Sequence, residues 1–199
     1  MLISTSRKPS SKTRAFCKNL SHALDCDYIN RGKMSMRELQ LKSAESGCDS
    51  IALVYEMKGN PSKITFFSNN GKELLVIIGS VSTTNQRLHI KTAELSLESD
   101  VPELNILKDI FPIIKSDSNK QIISKLDSNK STTSKSNSNK STISKIDNSS
   151  RKNHIYVEKV EDDFNIGLKD FDKRIAIIHF YNRDGEDTGL KINIRKIVS

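Results

Sequence analysis

The sequence predicts an α/β fold built on a mixed sheet. Over the first 80 residues the apolar and turn signals run strand, helix, strand, helix, strand, hairpin. Ile51-Ala52-Leu53-Val54-Tyr55 is almost continuously apolar, as in a strand covered on both faces. The C-terminal stretch alternates apolar and polar residues and is strand-rich. A chain of 199 residues buries one ordinary core or two small half-domains sharing one. Its 35% apolar content and mean hydropathy of −0.49 are low, which leaves part of the chain outside that core.

Leu2-Ile3-Ser4-Thr5 reads as the first strand, ended by Arg7-Lys8-Pro9. Ser10 or Ser11 then caps a helix to about Leu24, with Phe16, Leu20, Ala23 and Leu24 at helical spacing on its buried face. Asp27-Tyr28-Ile29-Asn30 is a short strand. Ser35 and Glu38 form a capping box for a second helix through about Ser46, with Met36, Leu39, Leu41 and Ala44 as its apolar stripe and Gly47 as its stop. After Ile51–Tyr55 comes a predicted loop, Lys58-Gly59-Asn60-Pro61-Ser62-Lys63. Ile64–Phe67 and Leu74–Ile78 make a hairpin about Asn69-Asn70-Gly71.

Gln86–Leu97 alternates as a strand, and Leu104, Leu107, Ile110 and Phe111 mark a helix that Pro112 helps to end. Beyond Lys115 a decapeptide recurs three times, at Ser118–Lys125, Ser128–Lys135 and Ser138–Lys145, without aromatic residues, glycine or proline. Units this short and polar build no core, so residues 116–153 are expected to be a disordered insertion. Structure is expected to resume at Ile155–Val160. An acidic turn, Glu161-Asp162-Asp163, leads to a short strand at Phe164–Leu168. Strands at Ile175–Phe180 and Leu190–Val198 follow, joined through Arg183-Asp184-Gly185-Glu186, with Lys191, Asn193 and Arg195 opposite the apolar side of the last one.

No apolar run is long enough to span a bilayer, and the N-terminus lacks the apolar core of a signal peptide, so a soluble, cytoplasmic protein is expected. Cys17, Cys26 and Cys48 are odd in number and lack Cys-x-x-Cys spacing, and Cys17 reads as a small core residue. The four histidines lie far apart in sequence. No nucleophile elbow, phosphate loop or dinucleotide fingerprint occurs, and adjacent Asp162 and Asp163 would point to opposite faces of a strand. The expectation is a protein that is not an enzyme and uses no cofactor or metal.

The charge is more informative. The net +8 is concentrated in residues 1–37, with eight Lys or Arg against two Asp, and in residues 116–153, with eight against three. That distribution suits a polyanionic partner, and it suits equally a basic face kept for solubility. The first helix begins among Arg7, Lys8, Lys12, Arg14 and Lys18, an arrangement expected to bind phosphate at the helix N-terminus. Three loops, Arg7–Ser10, Asn30–Lys33 and Gly59–Lys63, would gather their cations at one sheet edge. Aromatic residues are few, which favours backbone recognition of shaped or duplex RNA over single-strand reading.

Ile3-Ser4-Thr5-Ser6-Arg7-Lys8-Pro9-Ser10, Thr13-Arg14-Ala15-Phe16, Asn30-Arg31-Gly32 and Gly59-Asn60-Pro61-Ser62 resemble the Brix domain in order and spacing, in its short archaeal, Imp4-related form. Leu107–Pro112 and Asp162-Asp163-Phe164 resemble parts of the family's second half, while Gly167-Leu168 and Gly185-Glu186-Asp187 depart from the eukaryotic pattern. The resemblance implies two similar α/β halves, each like the anticodon-binding domain of class II aminoacyl-tRNA synthetases. These would be residues 1–80, and residues 81–115 with 154–199. It also implies a non-catalytic ribosome biogenesis factor that binds precursor ribosomal RNA and assists rRNA processing and subunit assembly. Arg7, Lys8, Lys12, Arg14, Lys18, Arg31, Lys33 and Lys63 would then meet phosphates, while Ser10 and Asn60 orient the strand. Partners would be the rRNA precursor and other assembly proteins, with the chain itself a monomer away from membranes. The alternatives are a tRNA-binding accessory module and a protein-interaction adaptor.

Overall fold

A computed structural model describes residues 1–83, 95–113, 153–161, 169 and 173–198. Residues 116–152 of the predicted 116–153 insertion, the acidic pair Asp162-Asp163 and the predicted strand at Phe164–Leu168 all lie outside the described residues.

The strands are β1 (Leu2–Thr5), β2 (Asp27–Ile29), β3 (Ser50–Met57), β4 (Asn60–Ser68), β5 (Glu73–Ser82), β6 (Leu95–Ser99), β7 (Asn153–Lys159), β8 (Ala176–Tyr181) and β9 (Asp187–Val198). They form one nine-stranded sheet in the order β2-β1-β3-β4-β5-β9-β8-β7-β6. In one arm β1 pairs parallel to β2 and β3, and β3, β4 and β5 continue antiparallel. In the other, β6 pairs parallel to β7, and β7, β8 and β9 continue antiparallel. The arms join where β5 pairs antiparallel to β9. Mixed parallel and antiparallel pairing is the predicted class, realised as a single sheet with few helices.

Helix α1 (Ser11–Leu24) lies on one face of the first arm. Its Phe16, Leu20 and Leu24 pack in one cluster with Ile3, Ala52, Val54, Ile64 and Phe66. Helix α2 (Met36–Glu45) covers the opposite face, where Leu39 meets Leu2, Ile51 and Leu53. That is why the central residues of β3 are buried on both sides and read as an unbroken apolar run. Ser35 and Glu38 form the predicted capping box. The predicted α2 stripe needs correction: Leu39 and Ser43 are its buried residues, whereas Leu41 is 57% exposed and Ala44 also faces solvent. A ten-residue helix crossing a sheet buries a narrow line, and only the residues four apart at its centre fall on it.

Four further differences are local. Asn60–Lys63 belong to β4, not to a loop, because Lys58 and Gly59 both take positive φ, 51° and 78°, and close a two-residue hairpin with β3. This is the turn form whose twist matches the strands, and Lys-Gly is an unusual sequence for it. Pro61 is tolerated because it sits beside a bulge and before the residues of β4 that pair with β5. The helix predicted over Leu104–Phe111 is a 3-10 turn (Pro102–Leu104) followed by α3 (Leu107–Ile110), with Phe111 already extended. Its ring packs edge-on to Phe66, the centroids 6.0 Å apart, so this segment touches the first arm as well as the second. Of the strand predicted over Gln86–Leu97, Leu95–Ser99 is strand and residues 84–94 lie outside the described residues. Strand β7 begins at Asn153, inside the boundary of the predicted insertion at 116–153.

The join between the arms depends on a bulge. Ile78 pairs with Lys196 and Gly79 with Ile194, which leaves Arg195 as the extra residue of β9. A Cβ on Gly79 would lie 1.8 Å from the carbonyl oxygen of Asn193, so no larger residue fits without separating the strands. Gly79→Ala is therefore expected to cost about 3 kcal/mol or more, read as a lowered midpoint in equilibrium chemical denaturation. A variant as stable as the parent would show that the two strands do not approach this closely.

Candidate nucleic-acid interface

The parallel strands β1, β2 and β3 all end at one edge, so the loops that follow them are brought together. Strand order β2-β1-β3 makes this a topological switch point, because the crossover through α1 returns to one side of β1 and the crossover through α2 goes to the other. Short bonds fasten the loops. Thr5 Oγ1 donates to Asn30 Oδ1 at 3.1 Å, and Ser6 N donates to the carbonyl of Val54 at 2.8 Å. Ser10 Oγ donates to the carbonyl of Gly59 at 2.9 Å.

The expected anion site at the start of α1 is already filled from within. Ser10 is the N-cap and its hydroxyl accepts from Thr13 N at 3.2 Å. Glu56, on β3, accepts from Ser10 N at 2.8 Å and from Thr13 Oγ1 at 2.6 Å. The bonds from Thr13 and Ser10, with the Arg14 charge nearby, hold the Glu56 carboxyl below the ordinary carboxylate range. A phosphate approaching this helix end would meet that carboxylate, so the arrangement read from the sequence as a phosphate cradle is an internal clamp. No motif in the sequence links Glu56 to Ser10, since the contact spans 46 residues.

The cations lie around this clamp. Arg7 and Lys8 are exposed in the loop after β1, and Lys33 is exposed in the loop after β2. Arg31 Nε donates to the carbonyl of Met34 at 3.0 Å, and Arg14 donates to the carbonyl of Pro9 at 2.9 Å, so both side chains also brace their own loops. Lys12 Nζ donates to Asn60 Oδ1 at 3.3 Å, joining two of the predicted site residues. Lys63 places its ammonium 5.3 Å from the centre of the Tyr55 ring. Burial pushes the Tyr55 hydroxyl up, and the charge of Arg31 pulls it down.

Between α1 and strands β4, β5 and β9 runs an open groove of about 1350 Å³. Among the described residues its charged lining is Lys12, Lys18, Lys58, Lys63 and Arg195, with no aspartate or glutamate. Sequence reasoning missed two of these. The sequence predicts Lys58 in a long loop, whereas the tight turn fixes it on the rim. Arg195 was placed opposite the apolar side of its strand, and the bulge brings it to the groove. No helix among the described residues is long and apolar enough to cross a membrane.

Comparison with known proteins agrees with this architecture. No protein-family model matches the chain. It is 45% identical over 73 residues to a probable Brix domain-containing ribosomal biogenesis protein of Methanothermobacter thermautotrophicus, an alignment covering 37% of this chain and 44% of that one. A protein of the same description from Methanococcoides burtonii is 36% identical over 109 residues, 54% of this chain and 68% of the relative. The chain belongs to the Brix domain-containing family. The alignments with the Methanothermobacter and Methanosarcina mazei members span less than half of those proteins, 44% and 47%. Among solved structures, an archaeal Imp4-like protein, Mil, superposes with a TM-score of 0.65 at 23% identity, covering 100% of this chain and 99% of that one. A probable ribosomal biogenesis protein from Aeropyrum pernix also superposes at 0.65, with 19% identity. The Imp4-like fold is thus shared at low identity.

The clamp makes a pH prediction. Because the folded state lowers the affinity of Glu56 for a proton, its contribution is complete above the ordinary glutamate range and disappears as pH falls through the folded value. Glu56→Gln should be less stable than the parent at pH 7, by about 1 kcal/mol, and the gap should close in acid. Denaturation midpoints across a pH series measure it. A gap that stays constant with pH would mean that the carboxylate charge plays no part.

Proposed function

We propose that this protein is a non-catalytic ribosome biogenesis factor that binds precursor ribosomal RNA through the groove beside α1 and assists rRNA processing and subunit assembly in the cytoplasm. The observation that carries the reading is the groove itself, with five cations and no carboxylate among the described residues of its lining. Phosphates give such a surface its affinity by displacing counterions. Arg7, Lys8, Arg31 and Lys33, at the same sheet edge, extend the contact, and Asn60 beside Lys12 supplies a hydrogen-bonding group. Ser10 and Arg14 act chiefly by holding the loop in place. The names of the relatives, ribosomal biogenesis proteins, support the same role.

The domain reading forms part of the proposal. Residues 1–80, and residues 81–115 with 154–199, make two halves around an insertion, each related to the anticodon-binding domain of class II aminoacyl-tRNA synthetases. The pairing order that recurs in both arms, parallel then antiparallel twice, supports two related halves. Partners are the rRNA precursor and other assembly proteins.

Crosslinking with sequencing in cells tests the function, comparing the parent with an Arg7→Glu/Arg31→Glu variant. Crosslinks should concentrate in precursor rRNA and be lost in the variant. Enrichment in tRNA instead would replace this reading with a tRNA-binding module. Purified protein offers a sharper test at Lys58. Its left-handed backbone favours asparagine, so Lys58→Asn should raise stability by about 0.5 kcal/mol. The same change should weaken RNA binding and make the log–log salt slope shallower by about 0.7 to 0.9. An unchanged slope would remove Lys58 from the interface.

A further inference from the structure

The five cations explain an affinity for phosphate, but they leave the groove's remaining surface without a purpose. Met57 is 68% exposed beside Lys58, and Ala15, Ile78 and Val81 are solvent-accessible in the same groove. A single exposed apolar residue is ordinary; four lining one cationic groove are a surface for something apolar. An uninterrupted A-form duplex offers no such group to it, because its bases are stacked inward and its outside presents phosphates and hydroxyls.

Resting on the RNA-binding reading above, we propose that the groove takes RNA carrying an unpaired, extruded nucleotide, whose base packs on Met57 and Val81 while the cations hold the flanking phosphates. A splayed base has an apolar face and a polar edge. The thioether of Met57 is flexible and polarisable, suited to a flat π surface of varying size. Asn19 and Ser82, also lining the groove, can exchange hydrogen bonds with the base edge. Backbone recognition of continuous duplex, favoured from the scarcity of aromatic residues, counts only rings and overlooks a methionine that the hairpin turn exposes.

The test uses the full-length protein and two RNA duplexes of equal length, one continuous and one with a single bulged nucleotide. The bulged RNA should bind about tenfold more tightly, in keeping with the contribution of one stacked base. Met57→Ser, at an exposed position, should remove most of that preference and leave the salt slope of both RNAs unchanged. Lys58→Gln should make both slopes shallower and keep the preference. Equal binding of the two RNAs by the parent overturns the inference and spares the phosphate mechanism. A preference that survives Met57→Ser overturns the packing role of Met57. Absence of salt-dependent binding to either RNA overturns the phosphate mechanism itself and this inference with it.

Discussion

The contact between Glu56 and the start of α1 fixes much of the interface region. One carboxylate from the end of β3 accepts from the backbone of Ser10 and the hydroxyl of Thr13, and Ser10 in turn reaches Gly59 in the hairpin turn. Two segments far apart in sequence, the start of α1 and the end of β3 with its turn, thus share one small hydrogen-bonded knot. It sets the direction in which α1 leaves the sheet, and so the distance between Lys12 on the helix and Asn60 on β4. An anion at a helix N-terminus is ordinarily worth a fraction of a kilocalorie to about 1 kcal/mol. Here its larger effect is geometric, because the groove wall and the groove rim are both tied to it.

The second constraint is the seam between β5 and β9. Two arms with the same pairing order meet there, and the pairing is close enough that only glycine fits at position 79. The bulge shifts the register of β9 by one residue, which keeps Ile192, Ile194 and Ile197 packed with the core and brings Arg195 to the groove. A feature that reconciles the twist of two half-sheets therefore also delivers a cation.

Much of the fold was legible in the sequence where one local rule governs. The N-cap at Ser10, the capping box at Ser35 and Glu38, the buried face of α1 and the doubly covered β3 each follow from spacing within a dozen residues. The errors arise where a distant partner decides. Leu41 looked like core, but the line of contact between α2 and the sheet passes through Leu39 and Ser43. Asn60–Lys63 looked like loop because Pro61 and Gly59 are turn residues, and β3 turns them into a strand by pairing across a two-residue turn. Of the candidate site, the third predicted loop is largely strand β4, whereas the basic loops after β1 and β2 were legible. Glu56 and Arg195 were not, since one acts through a contact spanning 46 residues and the other through a bulge.

The internal carboxylate also determines what kind of binding surface this is. A helix end left open would offer backbone amides, rigid donors that grip a phosphate in fixed geometry. With Glu56 seated there, recognition of a phosphate would pass to lysine and arginine side chains, which are long, mobile and screened by salt. Such groups attract a polyanion but do little to choose among polyanions of the same charge. Under the proposed function, selectivity would then come from the uncharged part of the groove, where apolar and hydrogen-bonding groups line the same surface. An electrostatic rim and a discriminating floor would then follow from where Glu56 is seated.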